Sequence, residues 1–166
     1  MDNEDLGSSI WEPACGTGWM SEELKKDYSD VKSTDLVDRG YGKTGIDFTA
    51  MPKRKMIDTV ITNPPYVDGL AEAFVHQGIA VARKKVCMLM RLAFLEGGKR
   101  YNSLFKTAPP HRVHVFSERI TFYPNGLQTA GSGTTAYGWY VWDVPRLDET
   151  YTTELKWLPP GYKKKS

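Results

Sequence analysis

Cysteines are scarce in this sequence, and long apolar runs are lacking. Cys15 and Cys87 are the two cysteines among 166 residues, and neither stands in a CxxC or Cys/His pattern. A disulfide framework and a metal site are therefore not expected, and a reducing cytoplasm is the expected compartment. No apolar stretch approaches the ~20 residues that a membrane-spanning helix needs, and the acidic start of the chain is unlike a signal peptide. The sequence predicts a cytoplasmic protein without a membrane partner.

Internal repeats, low-complexity tracts and domain linkers are also lacking. Of the 166 residues, 40% are hydrophobic and 25% are charged, which is typical of one compact domain. A chain of this length buries roughly 70% of the surface that its unfolded form exposes, so its core needs no cross-link. We expect a single domain over residues 1–166, with a core over about 9–145 and a basic tail over 146–166.

The charge is nearly balanced in total but uneven along the chain. The net charge is +2, yet residues 1–38 carry ten Asp or Glu and three Lys, whereas residues 83–119 carry nine Lys or Arg and two Glu. A basic segment of this kind is typical of a surface that binds nucleic-acid phosphates, and equally of solvated faces. Charge alone does not distinguish the two interpretations.

Short β-branched runs alternate with amphipathic stretches along the chain. Strands are predicted at residues 9–11, 31–34, 57–62, 86–95, 112–119 and 136–144, and helices at 19–28, 70–85 and 98–106. This order predicts an α/β, Rossmann-like, doubly wound fold whose mostly parallel sheet gains one late antiparallel strand. Ligands of such sheets bind beyond the carboxyl ends of the strands, so the turns after these ends are the places to search for function.

A turn of small residues follows the first predicted strand. It reads Glu12, Pro13, Ala14, Cys15, Gly16, Thr17 and Gly18. Small residues let the backbone bend sharply and approach a ligand, and the next helix directs free N–H groups into the same space. Gly16 and Gly18 also approximate the dinucleotide fingerprint, which would make Asp35 a ribose ligand, and a plain strand-to-helix turn is a third interpretation.

Two acidic residues follow at positions where a nucleoside can bind. Asp35 ends the second predicted strand, where a carboxylate can accept both hydroxyls of a ribose. Asp47 precedes Phe48, so its carboxylate could accept from an adenine amino group while the phenyl ring packs on the base. A loop carboxylate beside a packed phenylalanine is the alternative interpretation of this pair.

A diproline turn follows the third predicted strand, with the sequence Asn63, Pro64, Pro65 and Tyr66. Two prolines fix φ and cannot donate hydrogen bonds, so the turn is stiff and exposes oxygen acceptors. The Asn63 side-chain oxygen and the Pro64 carbonyl can accept both N–H bonds of an exocyclic amine. Tyr66 can stack on the attached base, which is worth about 1 to 3 kcal/mol. A purely structural turn is the alternative.

Taken together, EPACGTG, the later acidic residue and NPPY resemble the class I S-adenosylmethionine-dependent methyltransferases over about residues 9–145. More narrowly, they resemble the amino-methyltransferases of the adenine-N6 DNA type. The later stretches RLAFLEGGKRY, RVHVFSERI and AYGWYVWD are also similar to small DNA methyltransferases of phages and prophages. The resemblance implies S-adenosyl-L-methionine as cofactor, with its methionine part held by residues 12–18 and its ribose by Asp35. It also implies DNA as partner, with a flipped-out adenine whose amine binds at the NPPY turn.

The chain departs from the larger members of that family in its spacing. Residues 19–62, 44 in number, separate Gly18 from Asn63, and about 100 residues follow Tyr66, so neither gap houses a full target-recognition domain. Sequence specificity is then low, or a partner chain or a homo-oligomer supplies it. Other acceptors of the same turn are an RNA base and a protein glutamine side chain. A nicotinamide-dependent oxidoreductase and a nucleic-acid-binding module without catalysis are the remaining alternatives.

Overall fold

The structure is a computed structural model that describes residues 4–67, 69–122, 128–130 and 134–161. Its strands are β1 (Ser9–Glu12), β2 (Asp30–Ser33), β3 (Ile57–Thr62), β4 (Ala82–Arg91), β5 (Arg112–Phe116), β6 (Ile120–Phe122), β7 (Gln128–Ala130), β8 (Tyr137–Asp143) and β9 (Glu154–Leu158). Its α-helices are α1 (Trp19–Lys25), α2 (Leu70–Val81) and α3 (Gly98–Arg100), the last continued by a π-helical turn (Tyr101–Phe105). Short 3-10 turns cover Phe48–Ala50, Leu92–Leu95 and Val144–Arg146.

Seven of these strands form one sheet in the order β2-β1-β3-β4-β8-β5-β9. Strands β2, β1, β3 and β4 are mutually parallel. Strand β8 runs antiparallel to both β4 and β5, and β9 runs parallel to β5. The predicted α/β architecture, with a mostly parallel sheet and one late antiparallel strand, is confirmed. The carboxyl ends of β1, β2, β3 and β4 consequently meet at one edge of the sheet.

Helices cover both faces of the sheet, as a doubly wound fold requires. On the α2 face the core is aromatic: Phe48 contacts Trp11 and Phe74, with ring centroids 5.1 Å apart in both pairs. On the other face α1 packs over a smaller cluster that includes Ile10 and Cys87. Cys15 and Cys87 are both buried and free.

Several predicted boundaries differ from the structure; the strand predicted over 86–95, for example, spans Ala82–Arg91. The helix predicted over 70–85 ends at Val81, because Ala82 already has an extended backbone and pairs with Ile57 of β3. The sheet also extends past the predicted core limit of 145, since β9 pairs with β5 within the segment predicted as a basic tail. Side-chain period alone does not show where a helix yields to a strand that continues its apolar pattern.

Residues 123–135 read YPNGLQTAGSGTT, and this Gly-, Ser- and Thr-rich sequence predicts a mobile loop or a base-contacting hairpin. The segment lies partly outside the described residues. Its described part includes β7, which pairs antiparallel with β6, the strand that follows β5 along the chain. The lysines at positions 163 to 165 lie outside the described residues as well. Within the described ranges, no helix is long and apolar enough to cross a membrane.

Candidate functional site

The turn after β1 is fastened to the end of β2 by backbone hydrogen bonds. The Cys15 amide donates to the Thr34 carbonyl (3.0 Å), and the Thr34 amide donates to the Glu12 carbonyl (2.9 Å). Gly16 and Gly18 have φ values of +54° and +89°, in the left-handed region that favours glycine. A Cβ at position 18 would also lie 2.4 Å from the Tyr41 ring. The predicted sharp turn is therefore present.

Asp35 lies directly beneath this turn. Its Oδ2 accepts from the Gly16 amide (2.8 Å) and its Oδ1 accepts from the Val37 amide (2.9 Å). The side chain is largely buried, at 9% exposure. A carboxylate offers about four acceptor positions, so two backbone donors leave capacity for the ribose hydroxyls that the sequence assigns to Asp35. The structure thus brings Asp35 to the glycine turn, and its ribose contact stays a prediction.

Glu12 is buried under the turn and not displayed on it. Its carboxyl is 2% exposed and accepts from the Ser21 hydroxyl, which in turn contacts the Ser33 hydroxyl at 2.6 Å. Burial raises the pKa of Glu12 to about 8, against the lowering effect of the Ser21 hydrogen bonds. Glu12 therefore keeps its proton at neutral pH, a state that the sequence pattern did not indicate.

Replacing Glu12 with glutamine is expected to stabilise the protein at alkaline pH. The pKa of Glu12 is about 8 in the folded state, compared with the ordinary value of 4.5 for a glutamate. Stability is therefore lost as pH rises from about 4.5 to about 8, because the unfolded chain ionises first. The Gln variant lacks this loss and should gain on the order of 3 kcal/mol at pH 9 and nothing at pH 4.5, measured by urea unfolding. The matched control is Glu23→Gln, which changes an exposed glutamate. If wild type and Glu12→Gln were equally stable at pH 9 as well as at pH 4.5, the raised pKa of Glu12 would be contradicted.

The remaining predicted cofactor contacts differ in their exposure. Pro13 is buried and Ala14 half-buried in the turn itself. Asp47 is exposed and accepts from the amide (2.9 Å) and hydroxyl (2.7 Å) of Thr49, which lowers its pKa. Phe48 is 1% exposed between two core aromatic rings, so the structure places it in the core and not where an adenine could pack on it.

The diproline turn lies beside the glycine turn. Trp11 of β1 pairs with Val60 of β3, so the ends of these strands lie about 4.8 Å apart at the same edge. Pro64 is buried, whereas Asn63 and Pro65 are half-buried. The two motifs that the sequence singled out are therefore brought to one place by neighbouring parallel strands.

Tyr66 turns its hydroxyl back into the fold. The hydroxyl lies within hydrogen-bond distance of the Asn63 Oδ1, and it lies 2.8 Å from the Leu89 carbonyl oxygen of β4. Burial raises the pKa of this phenol above its usual value, so it stays protonated. A phenol has one hydrogen to donate, so it can serve only one of these two acceptors at a time.

Two further residues at this place were not found from the sequence. The Arg91 guanidinium carbon lies 5.1 Å from the Tyr66 ring centroid, and the Tyr137 ring lies 6.3 Å from it. Arg91 ends β4 and pairs in register with Tyr137, the first residue of β8. The sequence did contain a signal for Arg91: it is a charged residue at the end of the buried apolar strand β4. That strand pairs with β3, which leads into the NPPY turn.

The basic segment 83–119 is largely neutralised within the fold. Five of its nine basic side chains lie within 4.0 Å of carboxylates; the pairs are Arg83 with Asp58, Lys84 with Asp5, Arg100 with Glu72, and Lys85 and Arg112 with both Glu4 and Asp143. Residues 83–85 also begin β4, at the edge opposite the candidate site. The segment as a whole therefore supports nucleic-acid binding less than its composition predicted.

Similarity to known proteins is found in structure and not in sequence: no family model matches the chain, and no curated protein does. A protein of Listeria monocytogenes assigned to the class I S-adenosylmethionine-dependent methyltransferases matches with TM-score 0.62 and 17% identity, over 94% of this chain and 60% of that one. This chain thus spans 60% of that protein's length.

Two further solved structures are similar over most of this chain. A Pyrococcus horikoshii protein assigned as an RNA methyltransferase matches with TM-score 0.58 and 15% identity, over 84% of this chain and 76% of that one. The magnesium protoporphyrin IX methyltransferase of Synechocystis, solved with bound S-adenosylmethionine, matches with TM-score 0.53 and 12% identity, over 84% and 71%. The chain therefore has the fold of the class I S-adenosylmethionine-dependent methyltransferases.

Proposed function

We propose that this protein transfers a methyl group from S-adenosyl-L-methionine to the exocyclic N6 amine of adenine in DNA. The observation that carries the proposal is the placement of Asn63, with its side-chain oxygen facing a hydroxyl donor, directly beside the glycine turn. An oxygen that accepts from the Tyr66 hydroxyl can equally accept from an amine. The phenol then donates to the Leu89 carbonyl, which lies 2.8 Å away.

The turn after β1 fits the proposed cofactor. At Gly16 an added Cβ would meet one heavy atom within 4 Å, the Arg39 Cδ at 4.0 Å, so the backbone is open to a ligand there. The carboxylate below it, Asp35, keeps acceptor capacity for ribose hydroxyls. When bound, S-adenosylmethionine supplies a methyl group on a sulfonium. The residues that would hold it are the turn backbone around Gly16 and the Asp35 carboxylate.

The work of the diproline turn is to prepare a poor nucleophile. The lone pair of an aromatic amine is delocalised into its ring. Acceptors at the Asn63 Oδ1 and the Pro64 carbonyl, placed out of the ring plane, favour a pyramidal nitrogen and localise that lone pair. The same oxygens stabilise the positive charge that develops on nitrogen as the N–CH3 bond forms and the S–CH3 bond breaks, while Tyr66 holds the base in position. The methylated nitrogen then loses one proton to water. No covalent enzyme intermediate is required. Cys15 is also unsuited to form one, because burial raises the pKa of its thiol to about 11 and keeps the thiol protonated.

RNA is the alternative acceptor, because one structural neighbour is assigned as an RNA methyltransferase. The test incubates the protein with S-adenosylmethionine carrying a labelled methyl group and with DNA, RNA or a protein extract in parallel. We expect the label in DNA, and in N6-methyl-2′-deoxyadenosine after digestion of that DNA to nucleosides. Label confined to RNA or to protein would replace the DNA acceptor, and binding of NADH without binding of S-adenosylmethionine would reject the methyltransferase altogether.

A further inference from the structure

Beyond the NPPY turn, we infer that Arg91 is a substrate-positioning residue whose guanidinium binds a phosphate of the target nucleotide while the base lies on Tyr66. The inference rests on the proposed function, since it assumes a nucleic acid at the diproline turn. It adds a residue that neither the glycine turn nor the NPPY sequence contains.

The main chain fixes Arg91 at the site, whereas its side chain is exposed. Its carbonyl oxygen accepts from the Tyr140 hydroxyl (3.0 Å), and its strand partner Tyr137 lies against Tyr66. The guanidinium carbon is 5.1 Å from the Tyr66 ring centroid. A base stacked on that ring and a phosphate bound to Arg91 would therefore fall within one nucleotide.

Among the described residues, no carboxylate lies within 4.0 Å of the Arg91 guanidinium. The neighbouring Arg100 differs: it donates to the carbonyl oxygens of Phe94 (2.8 Å) and Glu96 (2.6 Å) and lies 3.8 Å from Glu72. The charge of Arg100 is thus used within the fold, whereas that of Arg91 faces an aromatic ring and solvent.

The contact with Tyr66 is one that a nucleotide can displace. A cation–π contact of a solvent-exposed arginine such as Arg91 is weak, whereas the planar guanidinium fork makes strong, charge-assisted hydrogen bonds to phosphate oxygens. A base entering the site needs the ring face that Arg91 covers, and it brings a phosphate to the same place. The Arg91 guanidinium would leave the Tyr66 ring, bind the phosphate and so position the target base over Tyr66.

The test compares Arg91→Ala and Arg91→Lys with Lys99→Ala, which removes the same charge at an exposed position that does not contact Tyr66. We expect Arg91→Ala to raise KM for DNA about tenfold with kcat and cofactor affinity unchanged, and Lys99→Ala to change KM less than twofold. The logarithm of the oligonucleotide binding constant falls linearly with the logarithm of salt concentration. The magnitude of that slope should decrease by about one unit in Arg91→Ala and return to the wild-type value in Arg91→Lys.

The outcomes separate this inference from the proposed function. Loss of salt slope in Arg91→Ala supports the phosphate contact even if wild type transfers no methyl group to DNA. An unchanged slope and KM in an enzyme that does methylate DNA would overturn the inference and leave the function standing. A fall in kcat or in cofactor affinity at unchanged KM would also overturn it, since Arg91 would then only support Tyr66. The inference would also be overturned if Arg91→Ala changed the methylation of protein without changing the binding of oligonucleotides.

Discussion

Replacing Asn63 with alanine is expected to lower kcat for methyl transfer about 100- to 1000-fold while leaving the affinity for S-adenosylmethionine unchanged. The side-chain oxygen is one of two acceptors proposed to stabilise the charge that develops on the amine. Removing one preorganised polar group of this kind from an active site costs about 2.7 to 4 kcal/mol in the transition state. Asp35 and the glycine turn, which would hold the cofactor, have no described contact with the Asn63 side chain.

The fold should tolerate this change. Asn63 is half-buried, and its described side-chain partner is the Tyr66 hydroxyl. That hydroxyl keeps a second acceptor in the Leu89 carbonyl at 2.8 Å, so no buried donor is left without a partner. A thermal unfolding midpoint close to that of wild type is therefore expected, and it separates lost chemistry from lost structure.

Asn102→Ala is the matched control, because it removes an exposed carboxamide whose partner among the described residues is the Gly98 carbonyl, to which it donates (3.0 Å). Tyr66→Phe is a graded comparison: it keeps the ring for stacking and frees the Asn63 oxygen, so kcat should fall less than tenfold. Full kcat in Asn63→Ala, measured with saturating DNA and cofactor, would show that another group accepts the amine hydrogens.

The sequence predicted the sheet and the two turns because both depend on local chemistry. Gly16 and Gly18 were recognisable since only small residues permit that turn, and the β-branched run before Asn63 marked a buried strand that must end at the prolines. Parallel strands then place both turns at one edge without further information. Tertiary packing decided what these rules could not, namely that Phe48 is used as core and that Glu12 is buried beneath its turn.

The role of the basic residues was the least predictable part. Counting charges along residues 83–119 treats each one as exposed, whereas pairing across the sheet depends on partners far away in sequence. Arg112 reaches Glu4, 108 residues away, and Asp143, 31 residues away. The charge count treats Arg91 and Arg112 alike, because both are arginines of this segment. The structure distinguishes them, since Arg91 lacks a carboxylate partner among the described residues.

The charges of Glu4, Lys85, Arg112 and Asp143 form one compact network on the sheet face that carries Cys87. Arg112 donates through Nε to Glu4 (2.6 Å) and through Nη1 to Asp143 (2.7 Å), and Lys85 pairs with both carboxylates. The Arg112 side chain is 13% exposed and that of Glu4 is 4% exposed. Burial raises the pKa of Asp143, but hydrogen bonds from Arg112 and Lys85 outweigh it and lower that pKa to about 2.

Replacing Arg112 with methionine should therefore destabilise the protein by about 3 kcal/mol at pH 7, because it removes the arginine hydrogen bonds from two largely buried carboxylates. Lys85 then remains between them, with His114 beside Glu4 and Arg146 at 3.9 Å from Asp143. The same change at Arg83, which is 51% exposed and lies 3.6 Å from Asp58, should cost less than about 1 kcal/mol. Adding Asp143→Asn to Arg112→Met should restore part of the loss, since it removes one unpaired charge.

The pH dependence of that loss tests its electrostatic origin. The folded pKa of Asp143, about 2, lies below the ordinary value of 3.8 for an aspartate. The network therefore stabilises the fold above about pH 4, and this contribution is lost as pH falls toward 2. Urea unfolding should accordingly show a gap between wild type and Arg112→Met that narrows from pH 7 to pH 3. A gap that stays constant across this range would instead assign the loss to the packing of the arginine stem, because that packing does not titrate.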